Sequence, residues 1–166
     1  PFSRLSGILL IFLRSDFAHM DSSSTPIMTV AIILLVCMSA YFSATETAFS
    51  SLNRIRLKSW AEDGNQRAAL ALQLSEDYDR LLSTILIGNN IVNITATAVG
   101  TVLFTNLVGT AYGPTVATVV LTVVVLIFGE VSPKSIAKES PERFAMASAP
   151  VLRVFLAILR LSLIHI

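Results

Sequence analysis

The sequence predicts an all-α integral membrane protein, with three transmembrane helices, a cytoplasmic-side helical hairpin and a juxtamembrane amphipathic helix. Three observations carry this prediction. The chain has 166 residues, of which 54% are hydrophobic and only 14% charged, with a mean hydropathy of +0.72. The apolar residues are gathered into long runs with the charges between them, which is the pattern of membrane helices and not of a soluble core. The basic residues are also unevenly placed. Five lie between Ser50 and Arg80 (Arg54, Arg56, Lys58, Arg67, Arg80) and five follow Glu130 (Lys134, Lys138, Arg143, Arg153, Arg160), out of twelve in all.

The first span opens after the polar stretch "DSSSTP" (21–26), where a proline suits the first helical turn. Residues 27–41 are almost wholly apolar and the pattern continues to Phe49. At about 1.5 Å per residue this run is long enough to cross a hydrocarbon core of about 30 Å. Residues 50–80 then alternate acids and bases, with apolar residues at helical spacing (Leu52, Ile55, Leu57, Trp60; Leu70, Leu72, Leu74) and a turn signal at "DGN" (63–65). This segment reads as a helical hairpin along the membrane surface, with Trp60 suited to the interface. The second span covers 81–108, "GTAYGP" (109–114) is an uncharged turn, and the third span is the valine-rich run from Thr115 to Phe128. β-Branched residues do not oppose a helix in lipid, where the backbone must be satisfied internally.

After Pro133, "SPERF" (140–144) reads as a helix start with proline at the first position and an acid in the first turn. The segment that follows is apolar on one side, with Arg153 and Arg160 seven apart on the other. An interfacial amphipathic helix fits better than a fourth span, because no uninterrupted apolar run is long enough. The distribution of Lys and Arg orients the chain: the basic segments face the cytoplasm, the uncharged 109–114 loop and the N-terminus face outside, and the C-terminus is cytoplasmic. The expected location is the inner (plasma) membrane, multi-pass. Residues 1–25 read as an N-terminal extension, 26–160 as the transmembrane domain and 161–166 as a truncated end. "GILLIFL" (7–13) is too short to span and lacks a following small-residue cleavage site. Cys37 is the single cysteine, so no disulfide or paired-thiol site is expected, and it reads as packing.

Polar residues inside the spans need an account. Ser39, Ser43, Glu46 and Ser50 are three to four residues apart and lie along one helix face. In "LIGNNIVNITAT" (86–97), Asn90, Asn93 and Thr97 share a face, with Asn89 beside it. "GEVSPK" (129–134) sets Glu130 between a glycine and a proline. The threonines at 95, 97, 101 and 105 are expected to bond their own helix backbone. Asparagines can serve as glue between helices. Glu46 can pair with Arg54 or Lys134, and Glu130 with Lys134 four residues on. The alternative rests on cost: a carboxylate within a span is expensive unless it faces a cavity or a cation. Serine hydroxyls, asparagine carbonyls, a backbone carbonyl freed at the Gly129–Pro133 interruption and one or two carboxylates form a set of hard oxygen donors. Such a set suits Mg²⁺, Ca²⁺ or Na⁺ and not zinc or copper. His19 and His165 lie near the chain ends, away from these clusters. No H-E-x-x-H or G-x-S-x-G motif is present, so no enzyme and no catalytic residue is expected. No nucleic-acid partner is expected either.

Three motifs, "YFSATETAFSSLNRIRL" (41–57), "LLSTILIGNNIVN" (81–93) and "FGEVSPKSIA" (128–137), occur in order and together resemble the transmembrane domain of the CorC/CNNM (DUF21, haemolysin-like) family. The resemblance runs from about Met28 to Arg160. It implies Mg²⁺ transport or efflux, coupled to Na⁺, by a homodimer in membrane lipid. It implies Ser43, Asn90 with Asn89 or Asn93, the Gly129 carbonyl and the Glu130 carboxylate as ion ligands, with Ser39 and Glu46 of second rank. Lys134 and the basic residues after it would form a cytoplasmic collar. Family members carry tandem CBS domains that bind ATP. These are absent from the residues present, so ATP is assigned to none of them. The contrasting expectation is a membrane anchor or adaptor, in which the polar residues only hold helices together and regulatory activity resides in a cytoplasmic part.

Overall fold

The computed structural model describes residues 24–163, and side chains as far as residue 158. The expected extension over 1–25 and the end at 161–166, with His19 and His165, fall wholly or largely outside the described residues. Seven α-helices and one π-helical segment follow in order: α1 (Ser24–Ser51), α2 (Arg54–Glu62), α3 (Gln66–Glu76), α4 (Tyr78–Val108), α5 (Gly113–Val124), the π segment (Val125–Val131), α6 (Ser132–Glu139) and α7 (Pro141–Leu163). By length and composition, three stretches can cross a membrane: α1, α4 and the continuous rod from Gly113 to Glu139.

α1 is the central element. It packs against α4, the π segment, α6 and α7. Its first half shows lipid-suited side chains such as Ile27, Val30, Ile33 and Leu34 to the outside, whereas from Ser39 to Phe49 it is largely buried. The change follows the sequence, because large aliphatics give way there to Ser, Ala and Thr. Small residues let neighbouring backbones approach, which is how helices associate where hydrophobicity alone gives no driving force. Packing is densest at the hairpin end, where Phe42, Ala48, Leu57, Ala71, Leu81 and Leu152 meet. A smaller cluster of Met28, Ile32, Leu103, Ala117 and Leu121 closes the opposite end. Phe42 locks three helices: a Cβ on Gly88 of α4 would fall 2.6 Å from its ring, and Phe155 of α7 meets it edge-on with centroids 5.2 Å apart.

The expected surface hairpin is present as α2 and α3, turning at Gly64 with φ +89°. Trp60 is half-buried against the core at the hairpin end. An asparagine caps the start of each of these helices, Asn65 doing so from within the turn. Asn65 Oδ1 accepts from the amides of Arg67 and Ala68, and Asn53 Oδ1 from Ile55 and Arg56, at 3.0–3.2 Å. Asn53 also ties the hairpin to α7. Its amide donates to Glu142 Oε1 at 3.3 Å, and Arg56 approaches the same oxygen at 3.5 Å. Asn53→Ala is therefore expected to lower stability by about 1 kcal/mol, and Asn53→Ser to restore most of it. Thermal unfolding of the detergent-solubilised chain checks this.

The interruption expected at Gly129–Pro133 takes a different form. The rod does not break there; it widens into a π turn that runs directly into α6. The Ser132 amide reaches back to Ile127 O, five residues away. Pro133 has no amide hydrogen, so the Gly129 carbonyl is denied its α-helical donor. The extra residue in the turn absorbs that loss without unwinding the helix. The last helix, α7, is a single rod with Pro150 inside it, and it is not among the stretches long and apolar enough to span.

Candidate functional site

The site forms where the buried half of α1 meets the middle of α4 and the π segment. Ser39 is fully buried, and its hydroxyl donates to Asn89 Oδ1 at 3.1 Å. The same oxygen receives a long hydrogen bond from Asn93 Nδ2 at 3.5 Å. From the third span, buried Gly129 backs onto Ser39, where a Cβ would sit 3.0 Å from the hydroxyl oxygen. Asn93 and Glu130 then face each other across a cavity of about 250 Å³, which Thr97 and Thr122 also line. Ser39, Asn89, Asn93, Gly129 and Glu130 thus form one continuous polar set drawn from all three spans.

Two atoms in this region lack partners. Ser43 Oγ, one turn beyond Ser39 on α1, and Asn93 Oδ1 are both buried with no hydrogen-bond partner. A buried polar group left unsatisfied costs about 1–3 kcal/mol, so such atoms need a reason. Both are neutral oxygens. Among the described residues Glu130 has no ion pair and no hydrogen-bond partner, and no three His, Cys, Asp or Glu side chains converge on a common point. The donor set is therefore hard oxygen with one carboxylate, and it fits a hard cation better than a soft one.

Glu46 pairs with Lys134 at 3.3 Å, which is one of the two partners open to it, and this pair spans from α1 to α6. Lys134 is thereby drawn away from Glu130. Asn90 lies on the exposed flank of α4, outside the Ser39–Asn89–Asn93 set. The threonine string behaves as expected: Thr95, Thr97, Thr101 and Thr105 each donate to the carbonyl four residues back at 2.7–2.9 Å. Thr122 was not singled out. The signal was its spacing of eight residues before Glu130, which places both on one helix face.

The Cyclin M transmembrane N-terminal domain family matches residues 30–164. A UPF0053 protein of Haemophilus influenzae is 45% identical over 137 residues, covering 81% of this chain and 32% of that protein. The UPF0053 inner membrane protein YfjD of Escherichia coli K12 is 50% identical over 112 residues, covering 68% of this chain and 26% of that protein. A chloroplastic DUF21 domain-containing protein of Arabidopsis thaliana is 38% identical over 112 residues, or 68% of this chain and 17% of its own length. The chain spans about a third or less of the length of each of these relatives. With three spans and a family match over most of its length, the chain is a multi-pass membrane protein and belongs to the Cyclin M transmembrane N-terminal domain family.

Proposed function

We propose that this domain carries Mg²⁺ across the membrane through the oxygen site between α1, α4 and the π segment. The observation that carries this reading is the pair of buried, unpartnered oxygens, Ser43 Oγ and Asn93 Oδ1, in the same polar region as an unpaired Glu130. Mg²⁺ takes six oxygens at about 2.0–2.1 Å and sheds water reluctantly. Six waters occupy roughly 180 Å³ at about 30 Å³ each. The cavity of about 250 Å³ beside Glu130 has room for an ion that keeps part of its shell. Asn93 and Glu130 from the cavity wall, with Ser43, Asn89 and the Gly129 carbonyl from the adjoining α1 side, replace the rest. Asn90 belongs to the proposed ligand set only if α4 turns or a second subunit covers its exposed flank. One carboxylate leaves the bound ion with net positive charge, which favours release.

Transport is proposed to be coupled to Na⁺ and carried out by a homodimer in the inner (plasma) membrane. The charge distribution supports a cytoplasmic hairpin and C-terminus and an outside N-terminus. The inner-membrane designation of the Escherichia coli relative supports the location. ATP, on this reading, acts only through cytoplasmic domains outside these residues, and the domain itself is not an enzyme.

The anchor or adaptor reading has its own support, because the Ser39–Asn89 hydrogen bond and the Glu46–Lys134 pair do hold helices together. Mg²⁺ flux into proteoliposomes, with and without a Na⁺ gradient, separates the two. Flux that follows the Na⁺ gradient is the expected result. A folded, correctly inserted protein with no Mg²⁺ flux under either condition sinks the transport reading.

A further inference from the structure

We propose that the cleft between α3, the first turn of α4 and α7 binds an anionic phospholipid, with its phosphate between Arg80 and Arg153. The cleft has a volume of about 410 Å³, and its walls include Leu70, Leu74 and Leu156 as well as the two arginines. Its position sets the kind of ligand. Arg80 is the third residue of α4, and the apolar run of that span begins at the next residue. The guanidinium therefore stands where the span leaves the hydrocarbon, at headgroup depth.

The charges are available. Among the described residues Arg153 has no acidic partner. Arg80 has only Asp77, at 3.9 Å, with both side chains largely exposed (43% and 66%), so that pair contributes little. Asp77 is the one carboxylate in the cleft wall, which leaves the wall with a net charge of +1 from two arginines less one aspartate. Gln73 adds an amide donor. A free phosphate would have no use for three leucines, and a neutral lipid no use for the wall's net positive charge. A phosphate diester with acyl chains and net negative charge uses both. Basic pockets between helices at the cytoplasmic face take such headgroups, and each basic residue near an anionic surface is worth about fivefold in affinity. An arginine fork also matches phosphate geometry.

The test is native mass spectrometry of the detergent-solubilised chain titrated with phosphatidylglycerol and with phosphatidylcholine. The expected result is selective retention of phosphatidylglycerol, reduced roughly twenty- to thirtyfold in the Arg80→Gln/Arg153→Gln double variant. Arg67→Gln, an exposed α3 position outside the cleft wall, is expected to leave binding unchanged. Ala157→Trp fills the cleft with the charges intact and is expected to abolish retention. Excess inorganic phosphate is expected not to displace the lipid. Equal binding of the two lipids, an Arg67→Gln loss as large as that of the double variant, full retention in either cleft variant, or displacement by inorganic phosphate overturns the proposal. The site depends on the membrane setting alone, so its test stands apart from any measurement of Mg²⁺.

Discussion

Glu130→Ala is expected to lower Mg²⁺ affinity by more than a hundredfold while the chain still folds and inserts. The two halves of this expectation have separate causes. Loss of an outer partner of a metal ligand costs roughly 10–100-fold in affinity, and loss of the only carboxylate in contact with a divalent ion costs more. Folding is spared because Glu130 holds nothing else. Among the described residues it neither pairs with a base nor accepts a hydrogen bond, so its removal strands no partner. Glu46→Gln is the contrasting variant. It leaves Lys134 without its 3.3 Å partner, and it is expected to lower stability modestly and to spare ion affinity, because that pair is half-exposed. Calorimetric titration with Mg²⁺ and thermal unfolding of the same samples check both. Wild-type affinity in Glu130→Ala removes the carboxylate from the site. A pattern in which both variants alter only stability favours the anchor.

The spans, the hairpin and the turns were legible because each rests on a local signal. Apolar runs set the spans, charge alternation set the hairpin, and Gly64 and Gly109 stand at positive φ where the turns were placed. The site was legible as a list of residues but not as an arrangement. Asn90, Asn93 and Thr97 are three and four residues apart, and Asn89, Asn93 and Thr97 four and four, so either set fits one helix face and spacing alone does not say which flank of α4 faces α1. The close contact of Gly88 with Phe42 fixes that rotation, and no periodicity in α4 reports a ring carried on α1. The π turn was half legible. Glycine and proline marked the place, but whether a helix breaks or widens there depends on the packing around it. Ser39 of α1 packs directly against Gly129 in that turn. The Ser39–Asn89 hydrogen bond joins residues 50 apart in sequence and could only be seen once the helices were packed.

Two glycines in the third span should fail in different ways, and this separates scaffold from site. At Gly113 an added Cβ would collide with Thr105 Cα and lie 2.7 Å from Thr105 N. Backbone cannot rotate aside, so Gly113→Ala must part α4 from α5. Overpacking of this kind costs about 1–3 kcal/mol. Gly100→Ala is the control, because it meets Leu121 Cδ1, the end of a flexible side chain, and alanine regains up to about 1 kcal/mol of helix propensity. At Gly129 the obstacle is Ser39 Oγ at 3.0 Å, which must give by only a few tenths of an ångström. That oxygen is bonded to Asn89, so Gly129→Ala pushes on the ligand set more than on the packing. Gly113→Ala is therefore expected to lower the unfolding temperature by several degrees with little change in Mg²⁺ affinity per folded molecule. Gly129→Ala is expected to weaken affinity about tenfold or more with a small change in unfolding temperature, in the range for disturbing a group that orients a ligand. If Gly113→Ala melts like wild type, Gly113 and Thr105 do not hold α4 and α5 in close backbone contact. If Gly129→Ala loses stability and keeps its affinity, the Ser39–Asn89–Gly129 contact is packing, and the ion site must be built from the Asn93–Glu130 side of the cavity alone.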